Sequence, residues 1–515
     1  MKTSSNKVSY GFSPSRLVSD LLLNMPKSEL ILPYVQKSRK VLFHARQAKE
    51  YLRVSMTSKG KCTSGGVDAA GFPNGPVVLV SRDISYTFPL SYGYLAGYLR
   101  QQGENVIVLF RTDAQALVRE IMSLNPVLVG FGSLYPELQE IRHLIRLLDI
   151  SGRRFPIVVG GQMVSPTPEF ALKVTGADFG VIGEGEIILH QLTCALRSRS
   201  DPAAVKGLVI RNKDAIINTG FGDFIEDLSQ LPPVPYDMFP VEKWLNVGQW
   251  HAKNSRSQLF WRFDDRVINV HGGRGCPFTC NFCYHHSKPR YRPIDNMMAE
   301  AAETLERYDG NMLYFSDDLV LASPNRVRLL LDAIRALKRR VDFSVSTRFD
   351  ILSRIDNALL EEMKDAGCRI MGLGIESGSN RILEIIGKNC TSDEIKTQLE
   401  RLKKVGILPS VSIMVGQKTE TLEDAEASVN LMRETVRSNP NIAYAFTITT
   451  PFPGSSLYNE IIRDGLIKDD WDFYRRYFSS SSEWNQVINL SAMTDKEVRK
   501  MYRKIQIVYR EEKSR

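Results

Sequence analysis

Three cysteines, Cys276, Cys280 and Cys283, stand in one short stretch that runs His-Gly-Gly-Arg-Gly-Cys-Pro-Phe-Thr-Cys-Asn-Phe-Cys-Tyr from His271 to Tyr284. An iron-sulfur cube ordinarily takes four cysteine thiolates. A cube held by three leaves one iron open to chelate another molecule, and that open corner is a place for chemistry. Two other readings compete. A structural zinc site closes with four ligands, commonly from two separated cysteine pairs; here no second pair follows, and His285 and His286 would have to complete the shell. A disulfide needs an oxidising compartment. The opening stretch MKTSSNKVSYGFSPSR has no apolar segment, and no run of about eighteen apolar residues occurs anywhere. With seven cysteines in 515 residues, the expectation is a reduced, cytoplasmic protein with no membrane span.

The elements that must position this loop are legible around it. Short apolar segments at 267–270, 312–315, 341–346, 369–374, 409–415 and 442–449 alternate with helical patterns such as 324–340 and 391–404, the latter with Thr391 and Ser392 as caps. Strands that alternate with helices make a parallel sheet, and these units make a partial barrel. Sites in parallel barrels lie at the carboxyl ends of the strands. The cysteine loop follows the first strand, Ser316-Asp317-Asp318 the second, Thr347-Arg348 the third, Glu376-Ser377 the fourth, Gly416 the fifth, and Pro451-Phe-Pro-Gly454 the sixth. A polar residue ending a strand is also an ordinary helix cap or surface ion pair.

Upstream, residues 76–200 carry an independent alternation. Segments 77–80, 105–110, 127–131, 156–159 and 179–182 read as five buried parallel strands, with helical stretches such as 136–148 between them. That pattern predicts a doubly wound sheet, which binds ligands at strand carboxyl ends where glycines admit a large cofactor. Gly160-Gly161 and Gly183-Glu184-Gly185-Glu186 stand at such ends, although short glycine turns serve purely structural purposes as well.

The CxxxCxxC motif with Phe282 before its last cysteine resembles the radical S-adenosylmethionine (SAM) superfamily. Residues 158–162, 168–169, 176–179 and 183–186 resemble the cobalamin-binding domain of cobalamin-dependent radical SAM enzymes. The resemblance implies an α/β fold, a doubly wound Rossmann-like cobalamin-binding domain followed by a partial (β/α)6 TIM-type radical SAM barrel. It also implies three cofactors: a 4Fe-4S cluster, SAM and cobalamin. Cys276, Cys280 and Cys283 would ligate the cluster. Phe282, Tyr284, Ser316, Asp317, Asp318, Arg348 and Glu376 would meet SAM, with Lys388 also at a familiar place. Ser133, Gly160, Gly161, Gln162, Gly183, Glu184 and Gly185 would meet cobalamin. Three departures stand out. Ser316-Asp317-Asp318 replaces the usual Gly-Gly-Glu, and Gly416-Gln-Lys-Thr-Glu-Thr421 replaces the usual Gly-x-Pro-Gly-Glu-Thr. The loop 81–92 lacks the histidine that ligates cobalt in many cobalamin domains, which leaves Arg82, Asp83 and Tyr86 as candidates. His143 and His190 fall within helical patterns, as packed or surface residues.

The remaining segments are an N-terminal helical extension and linker (1–75), a hairpin and linker (201–262) and a C-terminal cap (461–515), flanking domains at 76–200 and 263–460. The hairpin spans 206–220 with its turn at Asn212-Lys-Asp. Trp244, Trp250, His251 and Trp261 would line a substrate pocket or pack in a core. Cys368 and Cys390 read as structural, with a lowered thiol pKa as the alternative for Cys390 near a helix start. The net charge of +9 from 67 Lys+Arg against 58 Asp+Glu is mild, so nucleic acid is not required; His285, His286, Lys288, Arg290 and Arg292 would meet an anionic substrate or form a solvated loop. The function this predicts is C-methylation of an unactivated carbon of a small molecule or natural-product intermediate: the adenosyl radical abstracts hydrogen, and methylcobalamin supplies the methyl. Catalytic side chains are unassigned, and an external flavodoxin- or ferredoxin-like electron donor is implied. The alternatives are a cobalamin-dependent oxidative cyclase or rearrangement without methyl transfer and, from another class, a non-catalytic cobalamin sensor. A tRNA methylthiotransferase would carry a further cysteine triad upstream, where this chain has only Cys62 and Cys194.

Overall fold

Two parallel sheets, each built from continuous apolar strands with helices crossing over between them, make up the computed structural model. It describes residues 72–81, 88–111, 113–132, 134–212, 215–246, 261–285, 287–479 and 486–515. The N-terminal extension, Arg82, Asp83, Tyr86, Ser133, Trp250, His251 and His286 therefore lie outside the described residues.

In the first sheet β1 (Val77–Ser81), β2 (Val106–Phe110), β3 (Leu128–Gly132), β4 (Ile157–Gly160) and β5 (Phe179–Val181) are parallel. The expected hairpin, β6 (Leu208–Asn212) and β7 (Ala215–Asn218), extends this same sheet by antiparallel pairing of β6 with β5. The order β2-β1-β3-β4-β5-β6-β7 reverses direction at β1, and ligands of open α/β sheets bind at that reversal, beyond the carboxyl ends. Tyr92 ties the reversal together: its hydroxyl accepts from the Gly132 N–H at 2.7 Å and lies 2.7 Å from the Val80 carbonyl.

The second sheet, β8 (Val267–Val270), β11 (Met312–Phe315), β12 (Asp342–Thr347), β13 (Cys368–Glu376), β14 (Leu408–Val415) and β15 (Ala443–Ile448), is wholly parallel. Its order β15-β14-β13-β12-β11-β8 advances one strand at a time, so every crossover turns the same way. The expected six strands appear within a residue or two. The fourth runs longer, with a register shift between Gly374 and Glu376. Helix caps match local chemistry: Thr391 and Thr421 close capping boxes with Glu394 and Asp424, each worth about 1 kcal/mol. The amino end of this sheet is plugged by Arg369, which pairs with Asp265 and Asp342.

Of the linker aromatics Trp244 packs in the core: it is 2% exposed and stacks edge-on against Phe88 and Phe110. The C-terminal cap divides. Helices Ser456–Arg463 and Asp470–Ser479 return to the first sheet, where Phe473 and Tyr477 pack on Tyr135. Helix Asp495–Ser514 instead covers β15, with Tyr509 against Tyr444 and Phe446. Among the described residues no helix is long and apolar enough to cross a membrane.

Candidate functional site

After β8 the chain enters the cysteine loop through Gly272 and Gly273, whose N–H groups both donate to Asp317 Oδ1, the first at 2.7 Å. Two short strands, β9 (Gly273–Arg274) and β10 (Arg290–Tyr291), pair antiparallel and close the loop's base. Gly275, at φ +78°, makes the turn into Cys276; a Cβ there would lie 2.7 Å from the Ser287 carbonyl oxygen, so only glycine fits. On the far side Asn281 Nδ2 donates to the Ile385 carbonyl at 3.2 Å, and the Leu457 N–H to the Asn281 carbonyl at 2.9 Å.

The three cysteines are free thiols. Burial pushes the Cys283 thiol up to about 12 and raises Cys276, so both favour the protonated form until a metal displaces the proton. Among the described residues the one trio of ligand atoms mutually within 4.8 Å is Glu104, His190 and Cys194. Three cysteine thiols in one short loop, none of them in a disulfide, are a donor set whose chemistry fits an iron-sulfur cube with one iron left open.

Arg348, following β12, is aimed at the loop. Its Nη1 donates to Cys280 Sγ at 2.9 Å, its Nε to Asp350 Oδ1 at 2.8 Å, and its guanidinium lies 3.8 Å over the Phe278 ring. Expected to meet SAM, it lies against a cysteine sulfur, with Asp350 and Phe278 fixing its orientation. Asp317 is turned to the loop backbone. Its side chain is 1% exposed, with Oδ1 taken by the loop backbone; burial raises its pKa to about 7, opposed by those two N–H donors. Ser316 Oγ is 3.3 Å from Asn269 Oδ1, and the half-exposed Asp318 carboxylate faces His285 Nδ1 at 3.6 Å. Glu376 ends β13 with φ +66°, its carboxylate 3.1 Å from Lys388 Nζ and accepting from Ser412 Oγ at 3.2 Å. Lys388 lies 5.8 Å from the Phe282 ring centre. The substituted loop after β14 reproduces a turn without proline or its second glycine: Gly416 and Thr419 both take positive φ, and Glu420 accepts from the Gly416 and Gln417 N–H groups. For Cys390 the alternative of a lowered pKa falls away, since burial lifts its thiol to about 11.

In the first sheet Gly160 ends β4, Gly161 takes φ +83°, and Gln162 is exposed beside it. The Gly183 N–H donates to Ser165 Oγ at 3.0 Å, which joins the loops after β4 and β5. Gly185 opens helix Gly185–Ser198. Glu184, expected to meet cobalamin, pairs with Arg290 and with Arg274, the latter at 3.1 Å, while Glu186 pairs with Arg274 at 2.6 Å. Arg290, and Arg292 through Glu300 at 2.7 Å, are thereby in ion pairs and are neither a solvated loop nor free cations for a substrate. No motif advertised this pairing; the one signal was an arginine inside the cysteine stretch.

Among the described residues, buried polar atoms with no partner occur at the carboxyl ends of both sheets as well as elsewhere, Arg369 Nε at the amino end among them. Around the first lie Ser81 Oγ, Tyr135 OH and Thr167 Oγ1; around the second, Asp317 Oδ2, Thr347 Oγ1, the Gln417 amide and Thr449 Oγ1. The sheets meet at the cysteine loop: a side chain at Gly454 would come within 2.5 Å of the Tyr284 ring and 2.8 Å of Pro166, in the loop after β4.

A Rossmann-like sheet and a parallel six-stranded sheet, meeting at a three-cysteine loop, define a class. The chain matches the B12 binding domain over residues 77–193 and the Radical SAM superfamily over residues 270–432; it belongs to the cobalamin-dependent radical SAM enzymes, with SAM, a 4Fe-4S cluster and cobalamin as cofactors. An uncharacterized methyltransferase of Pyrococcus horikoshii is 25% identical over 82% of this chain and 87% of its own length. The anaerobic magnesium-protoporphyrin IX monomethyl ester cyclase of Rubrivivax gelatinosus is 25% identical over 72% of this chain and 66% of its own. Among solved structures, the radical SAM methyltransferase TsrM of Kitasatospora setae, with cobalamin and a [4Fe-4S] cluster bound, aligns with TM-score 0.61 at 18% identity over 76% of this chain and 75% of that one. At that identity the likeness is one of fold.

Proposed function

We propose that this protein is a cobalamin-dependent radical SAM methyltransferase acting on an unactivated carbon of a small molecule or natural-product intermediate. The observation that carries the reading is the meeting of the two carboxyl-end faces at the cysteine loop, where Gly454, Tyr284 and Pro166 touch. The cluster and SAM supply a 5'-deoxyadenosyl radical, and cobalamin a methyl group, which together reach carbons that have no acidic proton.

The chain's own residues bind and orient. Cys276, Cys280 and Cys283 hold the cluster, and Arg348 holds a positive charge at the Cys280 sulfur. The backbone of Phe282 and Tyr284, with Ser316, Asp318 and the Glu376–Lys388 pair, lies where SAM is received; Asp317 shapes the loop through its N–H contacts. Gly160, Gly161, Gln162 and Gly183 leave the crevice open to the corrin, and Gly185 opens the helix beside it. The domains of this reading are 76–200 and 263–460, with the hairpin 206–220 an appendage of the first. An external one-electron donor and a cytoplasmic setting complete the reading.

Anaerobically prepared protein with reconstituted iron and sulfide, saturated with cobalamin, tests it. Methyl-labelled SAM is to place label in the product. A second reading, oxidative cyclisation without methyl transfer, is favoured by the cyclase relative and gives an unlabelled product. Failure to form any 5'-deoxyadenosine on reduction overturns both and leaves a cobalamin sensor.

A further inference from the structure

The carboxylates of Glu184 and Glu186 leave the first domain and enter the base of the cysteine loop. Glu184 is 6% exposed and Glu186 5%, and their partners Arg274 and Arg290 are 15% and 10% exposed. Arg274 and Arg290 are register partners in the β9–β10 ribbon, so the two arginines stand side by side on the strands that bracket all three cysteines. Arg290 Nη1 also donates to the Ile225 carbonyl at 2.5 Å, and the Ile225 N–H donates to Glu184 at 3.2 Å. Two negative and two positive groups cancel in a buried site with their hydrogen bonds largely made. Such clusters add little net stability over apolar packing, but they hold orientation tightly, and removing one partner strands a buried charge.

A continuous path runs from crevice to cluster loop. The Ser165 N–H donates to the Gly161 carbonyl at 3.1 Å, Ser165 Oγ accepts from the Gly183 N–H at 3.0 Å, and Gly183 leads directly into Glu184. We infer that Glu184, Glu186, Arg274 and Arg290 form a positioning clamp that sets the spacing between the corrin and the cluster-bound SAM. The Gly-Glu-Gly-Glu segment thus acts by docking the cobalamin domain onto the cysteine loop, and this rests on the proposed function above. Spacing between reacting groups governs rate steeply, since a displacement of about 1 Å costs on the order of a hundredfold.

The double variant E184Q/E186Q removes both charges with little change of shape. In the reconstituted, cobalamin-loaded protein it is to keep the iron, sulfide and corrinoid content of the wild type. Pulsed electron paramagnetic resonance is to show the distance distribution between the reduced cluster and cob(II)alamin broadened about twofold or more. Transfer of labelled methyl from SAM to reduced corrinoid is to slow about tenfold, while reductive cleavage of SAM stays within about twofold of wild type. An unchanged distance distribution with unchanged methyl transfer overturns the clamp. Should the double variant not fold, wild-type hydrogen exchange decides: saturation with cobalamin is to slow exchange across residues 273–291 about threefold, and equal exchange with and without cobalamin overturns the inference. A wild type that takes up no corrinoid overturns the functional reading and the clamp together; a loaded wild type with unaffected variants overturns the clamp alone.

Discussion

Arg348 sets a guanidinium against the sulfur of Cys280, one of the three cysteines proposed to hold the cluster. A guanidinium donating at 2.9 Å to Cys280 Sγ stabilises the electron-rich state of the site, because hydrogen bonds and positive charge at cluster sulfurs raise the reduction potential. Arg348→Ala is expected to retain iron but to lower the potential by tens of millivolts and slow SAM cleavage, read by spectroelectrochemical titration; Arg348→Lys recovers part of the shift. Glu420 makes the second case. Burial lifts its carboxyl to about 7, against the lowering effect of the Gly416 and Gln417 N–H groups. The folded chain therefore holds a proton there that the unfolded chain has already lost. Its stabilising contribution is complete below the ordinary glutamate pKa and disappears as pH rises through about 7. Relative to wild type, Glu420→Gln is expected to gain roughly 1–3 kcal/mol between pH 5 and pH 8, seen as a widening gap in thermal midpoint. Asp317, also raised to about 7, keeps some of the decline in both proteins.

At the scale of elements, loops after strands carry the site, and their conformations are set by close approaches that strand patterns do not announce. Gly454 is the sharpest instance. With φ +91°, and with its would-be Cβ within 2.5 Å of Tyr284 and 2.8 Å of Pro166, it admits no side chain. Gly454→Ala is expected to cost about 1–3 kcal/mol, measured by denaturant unfolding, and to loosen Tyr284 beside Cys283. The strands themselves were legible, since buried parallel strands are short apolar runs flanked by helical periodicity. Less legible were the partners of polar residues. Asp317, Glu184 and Arg348 each occupy a place their position suggested, yet each carboxylate or guanidinium is turned to a contact far away in the chain.

For the whole molecule, the sheets are joined by chain segments that return. The helix Asp470–Ser479, more than a hundred residues beyond the cysteines, buries Phe473 completely against Tyr135 of the first sheet's flank, with Tyr458 and Tyr477 of the cap helices beside it. Phe473→Ala is expected to cost about 3–5 kcal/mol and to free this helix, so that limited proteolysis nicks residues 464–470 first while iron content is unchanged. A cap of this kind was visible in the sequence only as aromatic residues without an assignment, because amphipathic periodicity says which face is apolar and not what covers it.

Local spacing by itself determined the cysteine loop, the alternation of strands and helices and the ends at which polar residues collect, since these follow from backbone periodicity and from which residues ligate iron. Tertiary structure alone decided which groups those polar residues meet: the sulfur beneath Arg348, the backbone held by Asp317, the arginines gripping Glu184 and Glu186. Charge pairing and burial depend on approach in space, and residues as far apart as Glu184 and Arg290 have no local pattern to record it.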